Sequence, residues 1–208
     1  MKSQKAYDLI KEKSKELFFS YGLRSISMDD LTNLSGIPKR IIYRHFEDKN
    51  ALVRAVVKDL IESHERFFNT CKASAKDAID EVIKQNSEPF EIWTPIRPRF
   101  FFDLENFFPG PWNDLEHYKL KMLEGIVRNL KWGREEGLYS AHLNEVFIAE
   151  VRLHQLVNCL QPQLVETKKW SIHKFVVEFT RLYLHSIATE KGEKLLNSYL
   201  ESNGLHHR

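Results

Sequence analysis

The chain has 208 residues, 42% of them hydrophobic, with 31 Lys and Arg, 29 Asp and Glu, and two cysteines. This composition suits one or two globular domains with a sizeable core. It excludes a disulfide scaffold and a low-complexity chain, and no run approaches the ~20 apolar residues of a transmembrane helix. The net charge of +2 is unevenly placed: residues 1–60 hold 12 Lys and Arg against 8 Asp and Glu, and residues 61–208 hold 19 against 21.

Helical periodicity dominates from the first residues. A helix over about 4–21 turns Ile10, Leu17, Phe18 and Tyr21 inward. Ser27 with Asp30 three residues on is a capping-box signal for a second, short helix, with Leu31 and Leu34 on its apolar face. Gly36 ends that helix, because a C′ glycine takes the left-handed conformation without a Cβ clash. Pro38 suits the first turn of a third helix, in which Ile42 and Phe46 face inward. Lys39, Arg40, Tyr43 and Arg44 share its remaining surface. Asp48 caps a longer helix with a stripe of Leu52, Val56 and Leu60, flanked by Val53, Val57 and Ile61.

Two helices joined by a tight turn, the second one basic, form a helix-turn-helix able to enter a DNA groove. Its cations neutralise phosphates, and arginine forks reach guanine edges in the major groove. The Tyr43 hydroxyl suits a phosphate oxygen, the alternative being a packing role. Lys49 stands at a helix start, where free N–H groups also favour an anion. His45 reads as a partly buried packing residue.

Further along, a helix is expected over about 74–86, then a proline-rich stretch from Pro89 to Pro98 containing Trp93. Phe100–Phe102 lead a short helix to Phe107–Phe108, broken by Pro109-Gly110-Pro111. A long helix of about 112–136 carries Leu115, Tyr118, Met122, Ile126 and Leu130, and Gly137 ends it. Two helices, about 144–160 and 171–188, are apolar on more than one face and must be covered on more than one face. Leu153, Leu156, Leu160, Phe175, Phe179 and Leu182 are the expected dimer-interface residues; a deeply buried pair in a monomer is the alternative. A final helix covers about 190–202.

The aromatic density between Phe90 and Trp132 reads either as core or as the lining of a cavity beside the broken helix. The candidate pocket residues are Trp93, Phe101, Phe102, Phe107, Trp112, Tyr118, Met122 and Trp132, with Arg97, Arg99 and His154 offering a polar end.

The stretch from about Ile10 to Ile61 resembles the DNA-binding domain of the TetR family of bacterial regulators. The matching elements are Leu17-Phe18 with Tyr21-Gly22, Ser27-Met28-Asp29-Asp30-Leu31, Ser35-Gly36-Ile37, Ile42-Tyr43-Arg44-His45-Phe46 and Asp48-Lys49-Asn50-Ala51-Leu52. The resemblance implies phosphate contacts from Ser27, Lys39, Tyr43 and Lys49, and base reading by Arg44. Arg40 replaces a frequent glycine and adds a contact; Ile41 replaces a small hydroxyl residue and removes one. The later helices are similar to those that form a four-helix bundle across the family's two-fold dimer.

The expected architecture is therefore all-α. A helix-turn-helix DNA-binding domain over 1–50, joined by a connecting helix over 49–70, precedes a helical ligand-binding and dimerisation domain over 71–208. The expected function is a homodimeric regulator of transcription, a repressor that binds a palindromic duplex DNA operator and responds to a small apolar or aromatic effector. The alternative keeps the DNA binding and gives the C-terminal domain a protein partner. No catalytic frame is recognisable: there is no serine elbow, Gly-rich phosphate loop, metal-ligand spacing or paired acids. No cofactor is expected. Lys and Glu interrupt every early apolar run, so a cytoplasmic protein with reduced thiols is expected.

Overall fold

A computed structural model describes residues 2–87, 96–158 and 172–202. Trp93, Cys159 and Leu160 lie outside the described residues. The described residues form helices α1 (Lys2–Tyr21), α2 (Met28–Ser35), α3 (Lys39–His45), α4 (Lys49–Ser74) and α5 (Ala78–Ser87). They continue with α6 (Pro98–Phe107), α7 (Pro109–Glu135), α8 (Glu145–Asn158), α9 (Ile172–Ile187) and α10 (Glu190–Ser202). Among them there is no strand, only an isolated bridge between Tyr139 and Ala188. The architecture is all-α. No described helix is long and apolar enough to cross a membrane.

Local boundaries follow local chemistry. The Ser27 hydroxyl accepts from the Asp30 N–H at 3.0 Å, and the Asp30 carboxylate accepts from the Ser27 N–H at 2.9 Å, which closes the capping box. Gly36 ends α2 at φ 70°. Pro38 is the N-cap of α3, one residue before the position expected. The Asp48 carboxylate accepts from the Ala51 N–H at 2.7 Å and caps α4. α5 starts at Ala78 instead of near 74, because the Asp77 carboxylate accepts from the Ile79 and Asp80 N–H groups at 2.9 Å and sets the start there. Pro109-Gly110-Pro111 is the first turn of α7; the break between helices falls at Phe108.

The chain forms two compact units. One comprises residues 1–64 with 91–118, the other 65–90 with 119–208. Segment 98–118 therefore packs in the first unit, whereas the sequence pattern assigns it to the C-terminal domain. The contacts responsible are long-range. Phe100 is fully buried and meets Phe19 edge-on at 5.1 Å between ring centroids. The Arg97 N–H donates to the Phe19 carbonyl at 3.0 Å, and the Arg24 N–H donates to the Asp103 carboxylate at 2.8 Å. Gly22 permits this approach: at φ 85° it is flanked by Arg99 and Asp103, and a Cβ would stand only 3.0 Å from either side chain.

In the first unit Ile10, Phe18, Leu31, Ile42, Phe46, Leu52, Val53, Val56, Val57 and Leu60 are buried as expected. Two residues read as inward are not. Tyr21 and Leu34 are 58% and 62% exposed, while Phe19, adjacent to the expected stripe, is buried in their stead. In the second unit Ala78, Ile79, Leu130, Leu138, Tyr139, Ala149, Leu184, Ile187 and Leu196 form the core. Tyr139 fits against α7 because Gly133 has no side chain; a Cβ there would overlap the ring.

Candidate nucleic-acid interface

α3 is seven residues long, so its faces are set by few side chains. Ile42 points to the core and Phe46, which follows the helix, stacks on Tyr7 at 4.9 Å. His45 meets the Tyr7 ring edge-on and is half-buried. With those positions inward, Lys39, Arg40, Tyr43 and Arg44 are all exposed. The helical period thus gathers three cations and a phenol on one surface.

The neighbouring residues modify each charge. Lys39 Nζ donates to the Asp29 carboxylate at 2.6 Å, a hydrogen bond that holds its pKa above the ordinary lysine value, and it lies 5.7 Å from the Tyr43 ring centre. Lys49, at the start of α4, is half-buried over the Phe108 ring. Burial lowers its pKa, against the raising influence of Asp103 and Asp30. The Ser27 hydroxyl donates to Asp30 at 2.6 Å as well as accepting from its N–H. Hydrogen bonds from Ser27 hold the Asp30 carboxyl below its usual range. A phosphate at Ser27 would have to compete with that carboxylate. Asp29 and Asp30, which the sequence pattern does not single out as site residues, bond to the candidate contact residues Lys39 and Ser27.

The expected effector residues are divided. Phe101, Phe102, Phe107, Trp112 and Tyr118 belong to the first unit. Phe102 and Phe107 are exposed there, Phe107 beneath the Arg24 guanidinium at 4.2 Å. Tyr118 is buried and shares a 2.5 Å hydrogen bond with His64. Met122, Trp132 and His154 belong to the second unit. His154 is exposed, and Trp132 lines an open groove with Leu123, Val127 and Val146. Met122 reaches an internal cavity.

That cavity, of about 30 Å³, is lined by Phe68, Val82, Gln85, Asn86, Met122, Ile126, Asn129, Arg152, Leu156 and Tyr183. Its polar wall is buried. Arg152 donates to the Thr180 hydroxyl at 2.6 Å and to Asn86 Oδ1 at 3.1 Å, and its guanidinium lies 4.7 Å from the Tyr183 ring centre. The Tyr183 hydroxyl is buried with no hydrogen bond among the described residues, and burial pushes its pKa above the ordinary tyrosine value. An arginine set between the apolar Val151 and Leu153 was the available sequence signal for this site. No group of three or more His, Cys, Asp or Glu among the described residues could hold a metal ion.

Of the expected dimer residues, Leu182 is 60% exposed, Leu153, Phe175 and Phe179 are half-buried, and Leu156 lines the cavity. The most exposed apolar side chains of α8 are Val146 and Phe147, with Val151 one turn beyond Phe147.

Residues 10–56 match the family described as bacterial regulatory proteins, tetR family. The HTH-type transcriptional regulator TtgR of Pseudomonas putida is 31% identical over 71 residues, 34% of this chain and 31% of TtgR. The match thus spans about a third of that curated relative's length. A TetR-family transcriptional regulator from Agrobacterium tumefaciens superposes with a TM-score of 0.75 at 15% identity, over 90% of this chain and 100% of that one. The ketosteroid transcriptional regulator KstR2 of Mycobacterium tuberculosis gives 0.66 at 16% identity, over 88% and 95%. At these identities the two structures share the fold with this chain.

Proposed function

We propose, from the match of residues 10–56 to the tetR family, that the chain regulates transcription as a ligand-responsive repressor, binding a palindromic operator as a homodimer. The observation that carries the DNA-binding role is the common exposure of Lys39, Arg40, Tyr43 and Arg44 on α3, opposite the buried Ile42. Lysines and Tyr43 would hold phosphates, and Arg44 would read a base edge. Lys49 would add a phosphate contact from the start of α4. Two copies supply two such helices, so the operator would repeat each half-site with inverted symmetry.

Dimerisation is supported by the exposed apolar side chains Phe147, Val151 and Leu182 on α8 and α9, which pack against each other. Helices with such faces need a cover, and a second copy supplies an identical one. The effector reading is supported by the cavity in the second unit. A ligand that binds the DNA-free conformation more tightly shifts the population away from DNA by that difference in affinity. Selection of bound duplexes from a random pool tests the reading. An inverted repeat whose binding weakens steeply with salt is the expected result. A pool without enrichment would refute it.

A further inference from the structure

The cavity joins one buried cation to one buried hydroxyl. Arg152 is 2% exposed and sits in the cavity wall, oriented by Asn86 from α5 and Thr180 from α9. The Asn86 amide is itself fixed, since its Nδ2 donates to the Val82 carbonyl at 2.7 Å. Tyr183 adds a hydroxyl with no hydrogen bond among the described residues to the same wall. Such a group costs free energy until it finds a partner. Beside Gln85 and Asn129, the rest of the lining, Phe68, Val82, Met122, Ile126 and Leu156, is apolar.

We propose that the effector is an apolar monocarboxylic acid whose carboxylate is received by Arg152 and the Tyr183 hydroxyl. The proposal rests on the ligand-responsive reading above and assigns its chemical class. Nη2 of Arg152 is held by Asn86 and Thr180, so the guanidinium contributes its charge and a donor from another nitrogen, and the Tyr183 hydroxyl contributes the second donor. The space, about 30 Å³, holds roughly two waters, which is the size of a carboxylate. The neighbouring buried acid Glu81 does not repel it, being paired with Arg128 and accepting from Asn129 and Gln85. A dianionic phosphate would need more donors than this wall offers. The apolar part of the acid would extend beyond this space toward Phe68, Met122, Ile126 and Leu156, and its binding requires those side chains to repack around it, the unbranched Met122 being the most adaptable of them.

The test compares octanoate and phenylacetate with octanamide and phenylacetamide on the intact chain, by calorimetry and by release of a selected operator. The acids bind and release DNA, and the amides bind about a hundredfold more weakly, as expected for loss of a charge-assisted pair. Tyr183→Phe folds as the parent does and loses about tenfold in acid affinity. Arg152→Lys keeps the preference for acid over amide at reduced affinity, which a purely structural arginine would not predict. Equal binding of acids and amides, or unchanged acid affinity in Tyr183→Phe, overturns the acid class. If neutral lipophilic compounds release the operator and acids do not, the class falls and the ligand-responsive reading stands. If no compound of either kind binds, both fall.

Discussion

Asp29 and Lys39 form a 2.6 Å ion pair between the first turn of α2 and the first residue of α3, at the edge of the surface that carries Arg40, Tyr43 and Arg44. A carboxylate there opposes phosphate approach and occupies the cation that would meet it. Asp29→Asn should therefore tighten binding to all duplexes alike, while Lys39→Ala weakens all alike. The salt dependence separates them: Lys39→Ala lowers the slope of log K against log salt by about one. Filter binding across a salt series measures this. An unchanged slope in Lys39→Ala would place that lysine outside the phosphate contacts.

Arg44 should act differently. Its replacement by alanine removes a base contact, so affinity for the selected site falls about tenfold to a hundredfold and preference relaxes at one position of each half-site. Competition with single-base operator variants reads the preference. If Arg44→Ala discriminates every position as the parent does, Arg44 is a phosphate contact.

The exposed apolar faces of α8 and α9 predict the assembly state. A charge at Phe147 or Leu182 would be buried without a partner in a dimer, which costs several kcal/mol. Phe147→Glu with Leu182→Glu should convert a dimer to a folded 24.6 kDa monomer in light scattering. A parent protein that is already monomeric at micromolar concentration would remove both the dimer and the inverted-repeat operator.

Stability should fall with acid in a defined window. Burial holds the His64 pKa at about 4, below its ordinary 6.5. The unfolded chain therefore takes up the proton first, so this contribution is complete above pH 6.5 and is lost as pH falls from there toward 4. The full difference is roughly 3 kcal/mol. Urea unfolding between about pH 7.5 and 4 should show the decline, and His64→Gln should flatten it.

Gly133 tests the packing of the second unit. A Cβ at this position would overlap the Tyr139 ring, which is itself buried and whose hydroxyl donates to Asn129 Oδ1 at 3.3 Å. Gly133→Ala should cost about 1–3 kcal/mol or more, as overpacking does. Combining it with Tyr139→Ala should recover part of the loss, by relieving the clash. Thermal denaturation of the three variants checks the coupling.

Features that neighbouring residues decide among themselves can be read from the order of residues alone. Ser27 with Asp30, Gly36 and Asp48 act within four residues of their partners, so the ends of α2 and the start of α4 were legible as caps. The four-residue spacing of Ile42 and Phe46 assigned the inward side of α3, and the outward side followed from helical geometry. That outward side is the candidate DNA surface, and the match over residues 10–56 covers the same segment. Periodicity does not say which turn of a helix meets a partner. Leu34 and Tyr21 therefore stand in solvent although their spacing was inward. Phe100 joined the first unit because Phe19, far earlier in the chain, receives it. The aromatic residues expected in one pocket were separated by the same association. The cavity instead collects Asn86, Met122, Arg152 and Tyr183 from α5, α7, α8 and α9. Their convergence depends on long-range packing of helices, and no local pattern of the chain encodes it.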